Sequence, residues 1–363
     1  MSGPRRVLQV LGPSEGGIAR HVALLVEGLD GRDGLEIDVA GPPNLPVAMP
    51  KTVRELHIPS GVMGHRRARR RIAALVDEGY DVVHAHGLRA GIDSGVACRG
   101  KNKKVFLTVH NLVLPDISGR AKAFVLKRAE PLAVGVTTRT FCASEQIAQH
   151  LREVVPRLQH KVETLHAPVG DPPVVVRSRD EVRDELGLQP GSQLVVTAAR
   201  LAPQKALHVM LDAIARLPRE VTLAVVGSGP LERELKDRAK SLGVDDRVTW
   251  LGFRGDVGDF IAAADVLCLS SVWEAVALAA QEAVLLGVPV VTTDVGGMRE
   301  LITDGRSGRL VPKGDAQGLA EALREVLDSQ DLRREFVLNA LHDLNERFSR
   351  ERMFHRLSQV YRT

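Results

Sequence analysis

Strand-length apolar runs alternate with amphipathic helical stretches from one end of this chain to the other, and that alternation restricts the fold more than any single motif does. It predicts βα units and parallel sheets covered by helices. In the first half the strand-like runs fall at residues 7–11, 36–40, 53–58, 81–84, 105–109, 134–137 and 162–165. In the second half they fall at 194–199, 221–226, 248–251, 266–269, 288–292 and 308–311, with helices expected at 230–242 and 315–327. Between the halves, APVGDPPVVVRSR (167–179) is rich in proline and has no helical period, as a linker would. Residues 349–361 form one more helical stretch.

A length of 363 residues is generous for one core and comfortable for two. The expected division is 1–170, 171–345, and a terminal helix over 346–363. Aromatic residues make up only 3% of the chain, which argues against the stacking platforms of single-strand nucleic-acid binders. A net charge of +4 gives no broad basic face, so nucleic acid is not an expected partner. The arginines cluster locally at 66–71 (Arg66, Arg67, Arg69, Arg70, Arg71). The plain interpretation is a solvated helix face; the alternative is attraction to anionic lipid headgroups. Cys98, Cys142 and Cys268 lack C-x-x-C spacing and read as reduced, buried hydrophobes of a cytoplasmic protein. The first apolar run is too short for a signal peptide, and no stretch approaches a membrane span.

The chemistry concentrates in SSVWEAVALAAQEAVLLGVPVVTT (270–293) and in the residues after the run 194–199. Arg200 and Lys205 should emerge at the carboxyl end of a buried strand, where open α/β sheets bind ligands. Arginine can fork onto two phosphate oxygens and lysine adds a mobile point charge. Glu274 and Glu282 stand eight residues apart, the first expected at the mouth of a helix and the second inside it. If one helix held both, they would lie roughly 80° and about 12 Å apart, too far for a retaining-hydrolase pair but suited to two ends of an extended ligand. Gly16 and Gly17 follow the first strand, where glycine lets backbone approach an anion.

Taken in order, these elements resemble the retaining GT-B glycosyltransferases of family 4. That signature is a Gly-rich loop, R-x4-K, and E-x7-E ahead of the run Ala283-Val284-Leu285-Leu286-Gly287-Val288-Pro289-Val290-Val291. The resemblance spans essentially the whole chain. It implies an α/β fold of two Rossmann-like, doubly wound parallel-sheet domains facing across a cleft, with the terminal helix crossing back to the first. It also implies transfer of a sugar from a UDP- or GDP-sugar to a glycan, lipid-linked or small-molecule acceptor. In those enzymes Arg200, Lys205 and the amides of Val276, Ala277 and Leu278 would meet the diphosphate. Glu274 would hold sugar hydroxyls, Glu282 the ribose, and Gly16 and Gly17 the donor phosphate or acceptor. His110, in Thr108-Val109-His110, would reach the sugar at the reaction centre. One departure stands out: Glu274-Ala275-Val276-Ala277 replaces the family's usual glycines and aromatic, adding Cβ atoms where backbone must approach the ligand.

Competing interpretations leave residues unexplained. Gly12-Pro13-Ser14-Glu15-Gly16 matches a hydrolase nucleophile elbow, but it follows the very first strand and gives Arg200, Lys205, Glu274 and Glu282 no task. Gly227-Ser228-Gly229 is a lone G-x-G without the dinucleotide fingerprint. A sugar-nucleotide epimerase or a non-catalytic relative would share the fold. His84 and His86 have the His-x-His spacing of a zinc site and are expected at the same strand end as His110, yet the sequence shows no third ligand beside them. No Asp-x-Asp occurs, so transfer without a metal or other cofactor is expected.

Overall fold

A computed structural model describes residues 3–13, 17–45, 47–59, 63–112 and 120–363; Ser14 and Gly16 lie outside them. The chain forms two compact units, Met1–Pro168 together with Phe348–Thr363, and Val169–Arg347.

The first unit is built on a parallel sheet of order β3-β2-β1-β4-β5-β6-β7. Its strands are β1 (Arg5–Leu11), β2 (Leu35–Gly41), β3 (Val53–Glu55), β4 (Val82–His86), β5 (Lys104–Val109), β6 (Arg139–Cys142) and β7 (Val162–Thr164). Side chains alternate across β1, so Val7 and Leu11 enter one core and Leu8 and Val10 the other. Burial on both faces explains why the strands read as continuous apolar runs. Register sets Gln9 beside His84, and His86 beside both Leu11 and Thr108.

Two expectations need correcting. Residues 134–137 are not a strand: Val134 and Val136 end the helix Arg120–Val136, and the strand is β6. Tertiary packing overrides the β-branched propensity there. Gly95 lets Val136 approach so closely that a Cβ at position 95 would lie 2.5 Å from Val136 Cγ2. In the run at 53–58 the strand ends at Glu55, with one further bond from Leu56 N–H to Gly41 O at 2.9 Å.

The C-terminal helix Arg350–Arg362 completes this unit, its Met353, Phe354, Leu357, Val360 and Tyr361 packing with Val22, Leu25 and Leu29. Phe354 fits a socket made by Gly28, where a Cβ would come within 2.1 Å of its ring. Arg356 clasps Glu163 with two bonds of 2.6 and 2.8 Å.

The second unit repeats the plan with a parallel sheet of order β10-β9-β8-β11-β12-β13. Its strands are β8 (Gln193–Ala198), β9 (Val221–Val226), β10 (Val248–Gly252), β11 (Val266–Leu269), β12 (Val290–Thr293) and β13 (Arg309–Val311). The proline-rich segment at its start is docked. Asp259, itself buried, accepts from Val176 N–H at 2.8 Å and from Arg177 Nε at 2.9 Å. Two parallel Rossmann-like sheets make this an α/β protein of GT-B architecture. Cys98, Cys142 and Cys268 are free and buried; burial pushes the Cys98 thiol up to about 11 and Cys142 up to about 12.

Candidate active site

In each unit the strand order reverses direction at one point, between β1 and β4 and between β8 and β11, and such crevices at the carboxyl ends of strands are where open α/β sheets bind ligands. Arg200, Lys205 and Glu274 lie at the second of these places and His110 at the first, while Glu282 sits within the helix that follows.

In the second unit, β8 runs into an exposed Arg200 and then the short turn Pro203–Lys205. Beside it, β11 runs into Ser270, Ser271 and Glu274. Lys205 Nζ lies 2.5 Å from Glu274 Oε1, and Ser271 Oγ donates to the same oxygen at 2.5 Å. The two loops are laced together by backbone. Val272 N–H donates to Gln204 O at 2.9 Å, Gln204 Nε2 to Trp273 O at 2.9 Å, and Ser270 Oγ to Lys205 O at 3.0 Å. Ala206, which ends the turn, holds a left-handed conformation at φ 45°, costly for a residue with a Cβ. Glycines supply the close approaches. Gly296 (φ 59°) lies so near the Glu274 carbonyl that a Cβ would come within 1.5 Å of it. Gly227 and Gly229 fit against the backbone of Ala199 and Leu201, on either side of Arg200. The G-x-G is thus a support for the Arg200 loop.

The helix carrying Glu282 is Leu278–Leu285, with Ala277 at its N-cap. Glu274 is therefore not on that helix, and the 80° and 12 Å separation expected of one continuous helix does not apply. The reason is local: the segment before Leu278 is held by Lys205, Ser271 and the Gly297 N–H bond to Glu274 O at 3.1 Å. No side chain caps the helix start among the described residues, and Ala280 N–H turns back to Ala277 O at 3.1 Å. Leu278 begins the helix, Ala277 is its cap, and Val276 precedes it. Glu282 is half-buried, and Ala280, Gln281, Ala283 and Val284 around it are buried.

In the first unit, a cavity of about 200 Å³ opens at the ends of β1, β4 and β5, lined by Gly12, Ile18, His86, Arg89, His110 and Asn111 among others. His110 follows β5 and is buried, with Nε2 3.1 Å from His86 Nδ1. His86 Nε2 donates to Gln9 Oε1 at 2.9 Å, so His86 turns the lone pair of Nδ1 toward His110. Gln9 Nε2 in turn donates to Tyr361 Oη at 3.2 Å. Tyr361 then donates to His84 Nδ1, and His84 Nε2 to Thr108 Oγ1 at 2.7 Å. His84, expected at the same edge as His86, is instead a fully satisfied core residue. Gly17 starts the helix Gly17–Leu29, which brings His21 against His86 and His110, with ring centroids 5.6 and 5.1 Å away. Burial holds His21 down to about 4 and His84 down to about 3, and holds His86 and His110 well below the usual range; the neighbouring imidazoles add to the effect on the last three. All four are neutral at pH 7.

Sequence reasoning missed Ser271, Gln204 and Gly296 in one unit and Gln9, His21 and Tyr361 in the other. His21 left one clue: it shares a helix face with Ile18 and Leu25, a polar ring on a core-facing stripe. The expectation that His86 lacks a third ligand also fails, since His21 and His110 both stand against it.

Comparison with known proteins agrees with this architecture. Residues 178–343 match the family described as glycosyl transferases group 1, and residues 15–169 match glycosyltransferase family 4. N-acetyl-alpha-D-glucosaminyl L-malate synthase of Bacillus anthracis is 24% identical over 289 residues, 78% of this chain and 75% of that one. Phosphatidyl-myo-inositol mannosyltransferase of Mycobacterium leprae is 28% identical over 342 residues, 89% of this chain and 86% of that one. Among solved structures, Anabaena HepE in complex with UDP and glucose superposes with a TM-score of 0.83 at 21% identity, covering 98% of this chain and 99% of that one. Two adjoining family matches, relatives aligned over most of the chain and a shared fold lead to one conclusion: the chain belongs to the group 1 glycosyltransferases of family 4.

Proposed function

We propose that the protein transfers a sugar from a nucleoside-diphosphate donor, UDP- or GDP-linked, with retention at the anomeric carbon and with side-chain cations rather than a metal ion at the diphosphate. The observation that carries this is the Lys205–Glu274 pair at the strand-order reversal of the second unit, beside the uncapped start of the helix Leu278–Leu285. Cations and helix-start amides suit a diphosphate, and ionised carboxylates suit sugar hydroxyls.

In this mechanism Arg200, Lys205 and the amides of Val276, Ala277 and Leu278 stabilise charge growing on the leaving diphosphate, as preorganised electrostatics. Glu274 orients the sugar and Glu282 holds the ribose. A phosphate oxygen of the leaving group accepts the acceptor's proton, so no enzyme carboxylate attacks. His110, neutral and at the wall of the first unit's cavity, donates to or accepts from the sugar being transferred. Gly16 and Gly17 serve donor phosphate or acceptor. The relatives' names, one a malate product and one a lipid acceptor, support a small-molecule or lipid-linked acceptor without choosing between them. The HepE complex with UDP and glucose favours uridine over guanosine.

A peripheral place on the cytoplasmic face of a membrane fits the helix His65–Asp77. Its Arg66, Arg67, Arg70 and Arg71 are exposed next to Met63, itself 87% exposed. Among the described residues no helix is long and apolar enough to cross a membrane.

The test is incubation with a panel of labelled sugar nucleotides and candidate acceptors, with and without EDTA. The expected product is free nucleoside diphosphate plus an α-glycoside when the donor is α-linked, unchanged by chelator. An isomerised donor would identify an epimerase, and loss of activity restored by Mn²⁺ or Mg²⁺ would sink the metal-free mechanism.

A further inference from the structure

We propose that His21, His86 and His110 form a binding site for a transition-metal ion of borderline softness, zinc foremost, in the N-terminal unit. The inference concerns metal binding alone and stands whether or not the donor assignment holds.

Three separate elements supply the ligands: the helix Gly17–Leu29, the end of β4, and the residue after β5. Their ligand atoms all lie within 4.8 Å of one another. The closest pair, His86 Nδ1 and His110 Nε2 at 3.1 Å, nearly matches the edge of about 3.3 Å that tetrahedral zinc with bonds of about 2.0–2.1 Å requires. His21 Nδ1 is shielded from solvent and has no hydrogen-bond partner among the described residues. An imidazole nitrogen in that state lacks a partner that a metal would provide.

The surroundings support the same assignment. Gln9 Oε1 accepts from His86 Nε2, fixing the ring and presenting Nδ1 as a lone pair, the outer-shell arrangement that metal-binding histidines use. Tyr361 holds Gln9 from the other side. Binding requires His110 only to carry its proton on Nδ1 instead of Nε2. Burial keeps all three imidazoles neutral, so no proton need be displaced at pH 7. An all-nitrogen set selects zinc, cobalt, nickel or copper over magnesium and calcium, which take oxygen ligands. His86 and His110 also line the cavity of about 200 Å³, which leaves room for a water or small anion as fourth ligand.

The experiment uses the full chain, freed of any affinity tag and stripped on a chelating resin. Zn²⁺ is titrated by calorimetry and Co²⁺ by visible absorption. The expected result is one ion per chain, cobalt bands typical of four- or five-coordinate nitrogen ligation, and no competition from excess Mg²⁺ or Ca²⁺. His21→Ala and His86→Gln should each weaken zinc binding at least about tenfold, while His160→Ala, on an exposed histidine, should not change it. His21→Gln keeps the bulk of the side chain should His21→Ala melt. Absence of stoichiometric zinc in the wild type, or zinc binding unchanged in both the His21 and His86 variants, would overturn the proposal and leave a hydrogen-bonded histidine cluster.

Discussion

Lys205 Nζ and Glu274 Oε1, 69 residues apart in sequence, are held 2.5 Å from each other at the ends of neighbouring strands. The glutamate side chain is only 7% exposed and the lysine 22%. The two groups proposed to meet phosphate and sugar therefore neutralise one another before a donor arrives. A donor that draws Lys205 onto phosphate leaves the Glu274 carboxylate with Ser271 alone unless sugar hydroxyls replace the lysine. That double requirement favours an intact nucleotide sugar over either half.

Lys205→Ala should weaken binding of a nucleoside diphosphate by about 1.5–3 kcal/mol, roughly ten- to a hundredfold, and leave nucleoside binding nearly unchanged. Calorimetry with UDP and uridine measures the difference. Equal losses for both would show that Lys205 does not read phosphate.

The two glutamates should separate kinetically. Glu274→Ala should lower kcat even at saturating donor, because its bonds to the sugar change in the transition state. Glu282→Ala should chiefly raise the donor KM, since a ribose contact is held alike throughout. Ser14→Ala should retain activity. A dead Ser14→Ala enzyme beside an active Glu274→Ala one would reverse the assignment in favour of a hydrolase.

Backbone at the site gives a prediction of opposite signs. Gly296→Ala forces a Cβ onto the Glu274 carbonyl at φ 59°, and should lower both the melting temperature and turnover. Ala206→Gly relaxes a left-handed alanine at φ 45° and should be neutral or stabilising by about 1 kcal/mol. Thermal melts of the two variants decide; a Gly296→Ala protein as stable as wild type contradicts the close approach.

The buried histidines set the pH response. Their folded pKa values lie below the usual 6.5, so the unfolded chain binds more protons below that value and stability rises with pH. Stability from each should be complete above pH 6.5 and fall as pH drops toward about 4 for His21 and about 3 for His84, at up to about 1.4 kcal/mol per pH unit. Melting temperature should decline between pH 6.5 and 5, before most carboxylates titrate, and His86→Gln should flatten the decline. A wild-type profile level over that range would show these rings protonated in the folded state.

Much of this architecture was readable because parallel strands buried on both faces announce themselves as apolar runs, and punctuation by glycine and proline marks where they stop. That Glu274 stands at the mouth of the helix was readable, but what fixes the boundary at Leu278 was not. Glu274 to Ala277 carry no local signal against helix, and what holds them out of it is Lys205 and Gly297, which come from other loops. Likewise nothing near Gln9 points to Tyr361, 352 residues away, although one hydrogen bond joins them. Residues adjacent in sequence left patterns that could be read; partners brought together by sheet register and by the last helix did not.

That last helix has a consequence for synthesis. Phe354, Leu357 and Tyr361 fill the core of the unit whose strands are made first, but all of Val169–Arg347 is translated in between. At about 5–20 residues per second, the nascent N-terminal sheet would wait roughly ten to forty seconds with the Gly28 socket vacant and the Gln9 side of β1 uncovered. The later-made unit contains its whole core within one continuous stretch and can close earlier. During that interval the exposed apolar face is a target for chaperones, and a ribosome stalled before Phe354 would release a chain with one finished half and one that cannot finish.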